Sequence, residues 1–167
     1  MRYFLPKSDP NLDVSKFDYA RDIARYADAR SLLNATNPEL GGLRARGGKI
    51  LMYFGWADTA LPPVMGIDYY LKAVATNGLT TPNFFRLFMV PGMFHCRGGV
   101  GPERFDPMTA LINWVENGVA PATIVASQVD KGKVVRTRPL CPYPFVARYS
   151  GSGSPDDSAN FACKAPE

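Results

Sequence analysis

Gly47-Gly48-Lys49-Ile50-Leu51-Met52-Tyr53-Phe54-Gly55-Trp56-Ala57-Asp58 is the stretch on which the fold turns. Its apolar run, Ile50 to Phe54, is too short for a helix and carries no charge to face water. That is the pattern of a strand buried on both faces, as parallel sheets require. A second run of the same kind, Phe84-Phe85-Arg86-Leu87-Phe88-Met89-Val90, ends at Pro91-Gly92. Between them Pro62-Pro63 open a helix whose expected inner face is Val64, Ile67, Leu71 and Val74, and Asn77-Gly78 stop it. Beyond the second run, Asp106 and Pro107 read as the N-cap and first position of another helix, with Met108, Leu111, Trp114 and Val115 inward and Asn117-Gly118 as its stop. Strand, helix, strand, helix in this order predicts an α/β fold with parallel strands and crossover helices.

Working outward, residues 1–46 form a lead-in segment. Its first part, with Pro6 and Pro10, has no sustained period, whereas Asp18 reads as the N-cap of a helix reaching Leu33 through Ile23, Tyr26, Ala27 and Leu32. Two short β-rich pieces, Thr123 to Ala126 and Lys133 to Thr137, complete a central block over 47–140. The remainder, 141–167, contains Ser150 to Ser158, a Gly/Ser/Pro stretch whose composition predicts disorder. Cys141 and Cys163 bracket that stretch, and a bond between them would close a loop of about 22 residues.

Composition narrows the function classes. A chain of 167 residues, 46% hydrophobic, is one domain with a sizeable core. The net charge is +4, but Arg21, Arg25, Arg44, Arg46, Lys72, Arg86, Arg104, Lys131 and Arg138 are spread among acids. They predict solvated faces rather than a nucleic-acid stripe. The apolar runs fall far short of the ~20 residues that span a bilayer, so no membrane partner is expected. Met1 to Lys7 lacks the apolar region of a signal peptide, which leaves either a cytosolic protein or a chain that starts downstream of its true beginning.

In an open α/β sheet, catalytic groups collect at the carboxyl ends of the strands. Asp58 follows the first strand and His95, the sole histidine, follows the second, so parallel strands deliver an acid and an imidazole to one rim. The plainer alternatives are that Asp58 caps the turn into the next helix and that His95 is an ordinary loop residue. An acid–base–nucleophile order needs a serine downstream, and Ser127, Ser150, Ser152, Ser154 and Ser158 sit in a strand end or a polar tail without an elbow. The nucleophile-first order needs Gly-x-Ser-x-Gly upstream, and Ser8, Ser15 and Ser31 lack the flanking glycines. By its residues alone the chain holds two thirds of a triad. A zinc site from His95, Cys96, Cys141, Cys163 and Asp58 lacks any Cys-x-x-Cys pair, and Gly98-Gly99-Val100-Gly101 lacks the lysine and spacing of a phosphate loop. No metal is expected.

The segments Gly47 to Asp58, Val90-Pro91-Gly92-Met93-Phe94-His95-Cys96 and Thr137-Arg138-Pro139-Leu140-Cys141-Pro142-Tyr143-Pro144 resemble the C-terminal part of the tannase and feruloyl esterase family, as does the ending from Gly151-Ser152-Gly153 to Cys163. The resemblance implies an α/β-hydrolase fold and a serine esterase acting on esters of aromatic acids such as gallate, ferulate or a terephthalate monoester. Residue by residue, it implies Asp58 as triad acid and His95 as base. Ala60 and Leu61, just past the acid, are the expected lining of the acyl pocket, with helix-entry packing as the alternative. The resemblance also pairs Cys141 with Cys163 and implies for Cys96 a partner beside the nucleophilic serine, upstream of this chain. The serine elbow, the oxyanion loop and a lid with structural calcium belong to a region this sequence lacks. On that reading it is a C-terminal fragment of a secreted or periplasmic enzyme, inactive alone, its partners the rest of the enzyme and the ester. It would also leave the far side of its first strand uncovered, an exposed apolar edge. The rival reading is a stand-alone, non-catalytic binding or structural module of the same fold.

Overall fold

The computed structural model describes residues 9–166, and the chain forms two compact units, Met1–Asn37 and Pro38–Glu167. In the first, Asp18 caps helix α1 (Tyr19–Asp22), its carboxylate accepting the Ala20 and Arg21 N–H groups at 2.8 and 3.1 Å. A 3₁₀ turn, Ile23–Tyr26, separates it from helix α2 (Ala27–Leu33). The single helix expected over Asp18–Leu33 is therefore broken. Its apolar positions recur at uneven spacing, so no one face of a continuous helix could be buried. At the break the buried Asp22 accepts from Arg21 Nη2 at 2.6 Å and from the Asp18 N–H at 3.0 Å. The Arg21 hydrogen bond is the main reason its carboxyl is held down at about 2.

In the second unit a short helix α3 (Gly41–Ala45) leads into strand β1 (Ile50–Gly55), helix α4 (Val64–Asn77) and strand β2 (Phe85–Val90). β1 and β2 pair in parallel, in register from Ile50 opposite Phe85 to Gly55 opposite Val90. Helix α5 (Pro107–Asn117) starts on Asp106, which accepts the Thr109 N–H at 3.0 Å. Strands β3 (Ile124–Asp130) and β4 (Lys133–Leu140) form an antiparallel hairpin, followed by the antiparallel pair β5 (Val146–Tyr149) and β6 (Phe161–Lys164).

β2 is the centre of this unit. Phe85, Leu87 and Met89 pack with Tyr70 and Ala73 of α4, while Phe88 and Val90 pack with Met93, Ile124, Ala126 and Leu140. Burial on both faces, expected of both strands, holds for β2 alone: in β1 only Gly55 is fully buried, and Tyr53 is 38% exposed. The cause is topological, since β1 has β2 as its one strand neighbour among the described residues. The helix faces also differ from expectation. α4 buries Gly66, Tyr70 and Ala73, and Val64 and Leu71 are exposed, because the helix meets β1 at its smallest residue: a Cβ on Gly66 would lie 2.8 Å from the Phe54 ring. α5 buries Trp114, with the charged groups of Lys49 and Arg86 5.6 and 5.5 Å from its ring centre, and leaves Met108 and Val115 outside.

The stretch from Ser150 to Ser158 is a defined loop rather than the disordered tail that composition predicts. Although exposed, it is held by hydrogen bonds: Tyr149 Oη donates to the Gly153 carbonyl at 2.5 Å, Arg136 Nε to Asp156 at 2.6 Å, and the Ser158 N–H to Thr137 Oγ1 at 2.8 Å. The Cys141–Cys163 disulfide, Cα atoms 5.6 Å apart, ties the end of β4 to β6, and Cys96 is an exposed free thiol. Thiol titration of denatured, unreduced protein is expected to find one free thiol. Cys141→Ser with Cys163→Ser should cost about 3 kcal/mol by the loop-closure argument. Three titratable thiols, or an unchanged denaturation midpoint, would contradict this.

Candidate active site

The two turns at the carboxyl ends of β1 and β2 are stitched together by their backbones. Trp56 N–H donates to the Val90 carbonyl at 2.9 Å and Ala57 N–H to the Met93 carbonyl at 3.1 Å. Gly55 makes this approach feasible, since a Cβ there would strike the Met93 carbonyl and sit 2.7 Å from that of Phe94. Gly92, at φ +74°, faces Gly101 so closely that its Cβ would lie 2.7 Å from the Gly101 nitrogen. Met93, 1% exposed, pins the second turn into the core. Past it the loop is closed by Phe94 N–H to the Gly98 carbonyl, 2.9 Å, and reverses at Cys96, φ +65°, where the Arg97 N–H returns to the His95 carbonyl at 2.9 Å. A side chain in that left-handed conformation costs roughly 1 kcal/mol, so the surrounding loop dictates it.

This frame brings Asp58 and His95 together: Asp58 Oδ2 lies 2.8 Å from His95 Nδ1. The carboxylate side chain is 4% exposed and the imidazole 49%. Asp58 Oδ1 accepts the N–H groups of Ala60 at 2.8 Å and Leu61 at 3.0 Å. The turn-residue and acid geometries thus coexist, one oxygen serving each. It does not cap α4, whose N-cap position is Pro63. Burial alone would raise the Asp58 pKa and is the largest single influence, but the hydrogen bonds from Leu61, His95 and Ala60 together outweigh it and leave the carboxyl below its ordinary value. An ionised carboxylate can only accept, so Nδ1 carries the proton in the neutral ring and Nε2 keeps a lone pair. Such an imidazole can take a proton from a hydroxyl.

Among the described residues no hydroxyl bonds the His95 ring. Ser15 and Ser31 are engaged locally, with Asp13 at 2.7 Å and the Asp28 carbonyl at 2.8 Å, and Ser150 with the Ser152 carbonyl at 3.3 Å. Ser8 lies outside the described residues. Cys141 and Cys163 are consumed by their disulfide and cannot ligate a metal. Sequence reasoning missed the second task of Ala60 and Leu61, whose amides orient the acid. The signal was the aspartate two and three residues before them, the spacing of an Asx turn. It also missed Gly55, whose lack of a side chain lets the two turns meet.

A model of the family described as tannase and feruloyl esterase matches residues 2–164. The chain belongs to the tannase and feruloyl esterase family. It is 48% identical over 138 residues to the mono(2-hydroxyethyl) terephthalate hydrolase of Piscinibacter sakaiensis, covering 79% of this chain and 22% of that protein. It is 35% identical over 175 residues to a probable feruloyl esterase of Arthroderma benhamiae, covering 98% and 32%. The crystal structure of an esterase from Aspergillus oryzae superposes with a TM-score of 0.83 at 30% identity, covering 98% of this chain and 36% of that one. The fold is therefore α/β-hydrolase-type, as in these family members, and the chain spans about a third or less of the relatives' length.

Proposed function

We propose that Asp58 and His95 are the acid and base of a serine carboxylic ester hydrolase acting on esters of aromatic acids, with the nucleophile and oxyanion donors supplied by polypeptide outside residues 1–167. The observation that carries this reading is the 2.8 Å contact between a buried, ionised carboxylate and a half-exposed imidazole at the ends of adjacent parallel strands. His95 Nε2 takes the proton of the attacking hydroxyl, Asp58 stabilises the imidazolium that results, and the same proton is then delivered to the leaving alkoxide. The substrate class follows the relatives, whose names specify a terephthalate monoester and feruloyl esters. Leu61, 42% exposed, and Ala60 present apolar side chains beside the acid and line the acyl pocket. Cys96 pairs with a cysteine next to the nucleophile, binding the His95 loop to it. This chain needs no cofactor for such chemistry, and structural calcium, where present, belongs to the lid. The Cys141–Cys163 disulfide favours an oxidising compartment, secreted or periplasmic.

The test is hydrolysis of methyl gallate, methyl ferulate and p-nitrophenyl acetate by the 167-residue chain and by the same chain joined to the family's serine-bearing segment. Turnover is expected only in the second, since losing one oxyanion donor alone costs about 10²–10³ in rate. Turnover by the chain alone, abolished by His95→Ala and by one serine substitution within it, would locate the nucleophile inside these residues. No turnover in either would favour a non-catalytic module.

A further inference from the structure

Beside β2, residues from the turns that follow β1 and β2 join those of β4 to β6 in lining a partly open cavity of about 480 Å³, the size of a small-molecule site. Its walls include the aromatic side chains of Trp56, Tyr143, Phe145 and Phe161, and its charged residues are Arg136 and Arg138. None of Asp58, His95, Ala60 or Leu61 lines it. The two arginines are not equivalent. Arg136 is matched by Asp156 at 2.6 Å, whereas Arg138 has no carboxylate within ion-pair distance among the described residues. Its guanidinium donates from Nη1 to the Thr137 carbonyl at 2.7 Å and lies 4.2 Å from the centre of the Phe161 ring, against the cavity wall. Of five donors on that group, one is engaged among the described residues. Burial, and then the neighbouring Arg136, push the Arg138 pKa down, and the Asp156 carboxylate that pairs with Arg136 offsets this only in part.

A partly desolvated guanidinium without an anion is costly, and its planar fork fits a carboxylate through two parallel hydrogen bonds. Aromatic walls around one uncompensated positive charge select a monoanion with a flat apolar body over a phosphate, which carries more charge and needs more donors. We propose that this cavity is a second ligand site, for a carboxylate borne on an aromatic ring, with Arg138 as its charge partner and the aromatic walls holding the ring. The site stands on its own geometry, whether or not the Asp58–His95 pair turns over esters.

Titration of the protein with 2-naphthoate, and with 2-naphthamide as its neutral isostere, tests the proposal by calorimetry and by the fluorescence of Trp56; the other tryptophan, Trp114, is buried on α5. Naphthoate is expected to bind at least about tenfold more tightly than the amide, the smallest effect of a charge-assisted pair. Arg138→Met should erase that preference and Arg138→Lys keep part of it. Ala147→Leu, which adds bulk to a lining position, should weaken both ligands, and melts without ligand check that each variant folds. Equal affinity for acid and amide in the unaltered protein, a preference that survives Arg138→Met, or no binding of either ligand would overturn the proposal. The first comparison needs no variant.

Discussion

His95→Ala is expected to lower kcat for aryl ester hydrolysis by about 10⁴-fold or more, with KM little changed, in the protein that carries the nucleophile. In the proposed mechanism the ring shuttles the proton between hydroxyl and leaving alkoxide, so its loss acts on the transition state and not on ground-state binding. Asp58→Asn should cost about 10⁴-fold by a different route. The amide oxygen can still accept from Ala60 and Leu61, but the amide nitrogen then faces His95 Nδ1 as a donor and favours the tautomer with its proton on Nε2. The sign of the pH dependence follows from Asp58. Its folded pKa is depressed, so its contribution to stability is present above the ordinary carboxylate value of about 3.9 and is lost as pH falls through the lower folded value. An acid limb of activity above pH ~4 therefore cannot be titration of Asp58. Retention of kcat within tenfold in either variant would contradict the assigned roles.

Phe88→Ala is expected to destabilise the protein by about 3–5 kcal/mol, measured by urea denaturation. Phe88 is fully buried on β2, packed with Met93, the residue that anchors the His95 loop, so the cavity would open directly beneath the site. Its register partner on β1, Tyr53, offers the control. Tyr53→Ala should cost about 1 kcal/mol, chiefly the edge-to-face contact with Phe105 at 5.1 Å. Equal losses at the two positions would mean that β1 is as deeply buried as β2.

That contrast marks how far the chain could be read unaided. The order β1, α4, β2, α5 was legible to within a residue or two, because strand and helix periods, the Asp106 cap with Pro107 behind it, and the Asn77-Gly78 and Asn117-Gly118 stops are local chemistry. The placement of Asp58 and His95 just past two strand ends was legible for the same reason, and parallel pairing then leaves them little choice but to meet. Burial was not. Ile50 to Phe54 is as apolar as Phe85 to Val90, and only the arrangement of neighbours makes one strand half-exposed and the other the core. Nor could sequence divide the oxygens of Asp58 between a turn and an imidazole, or turn a Ser/Gly stretch into a loop held by Arg136 and Thr137 from β4. Those outcomes depend on hydrogen bonds and contacts between residues distant in the chain, whose partners exist only once the backbone has brought them together.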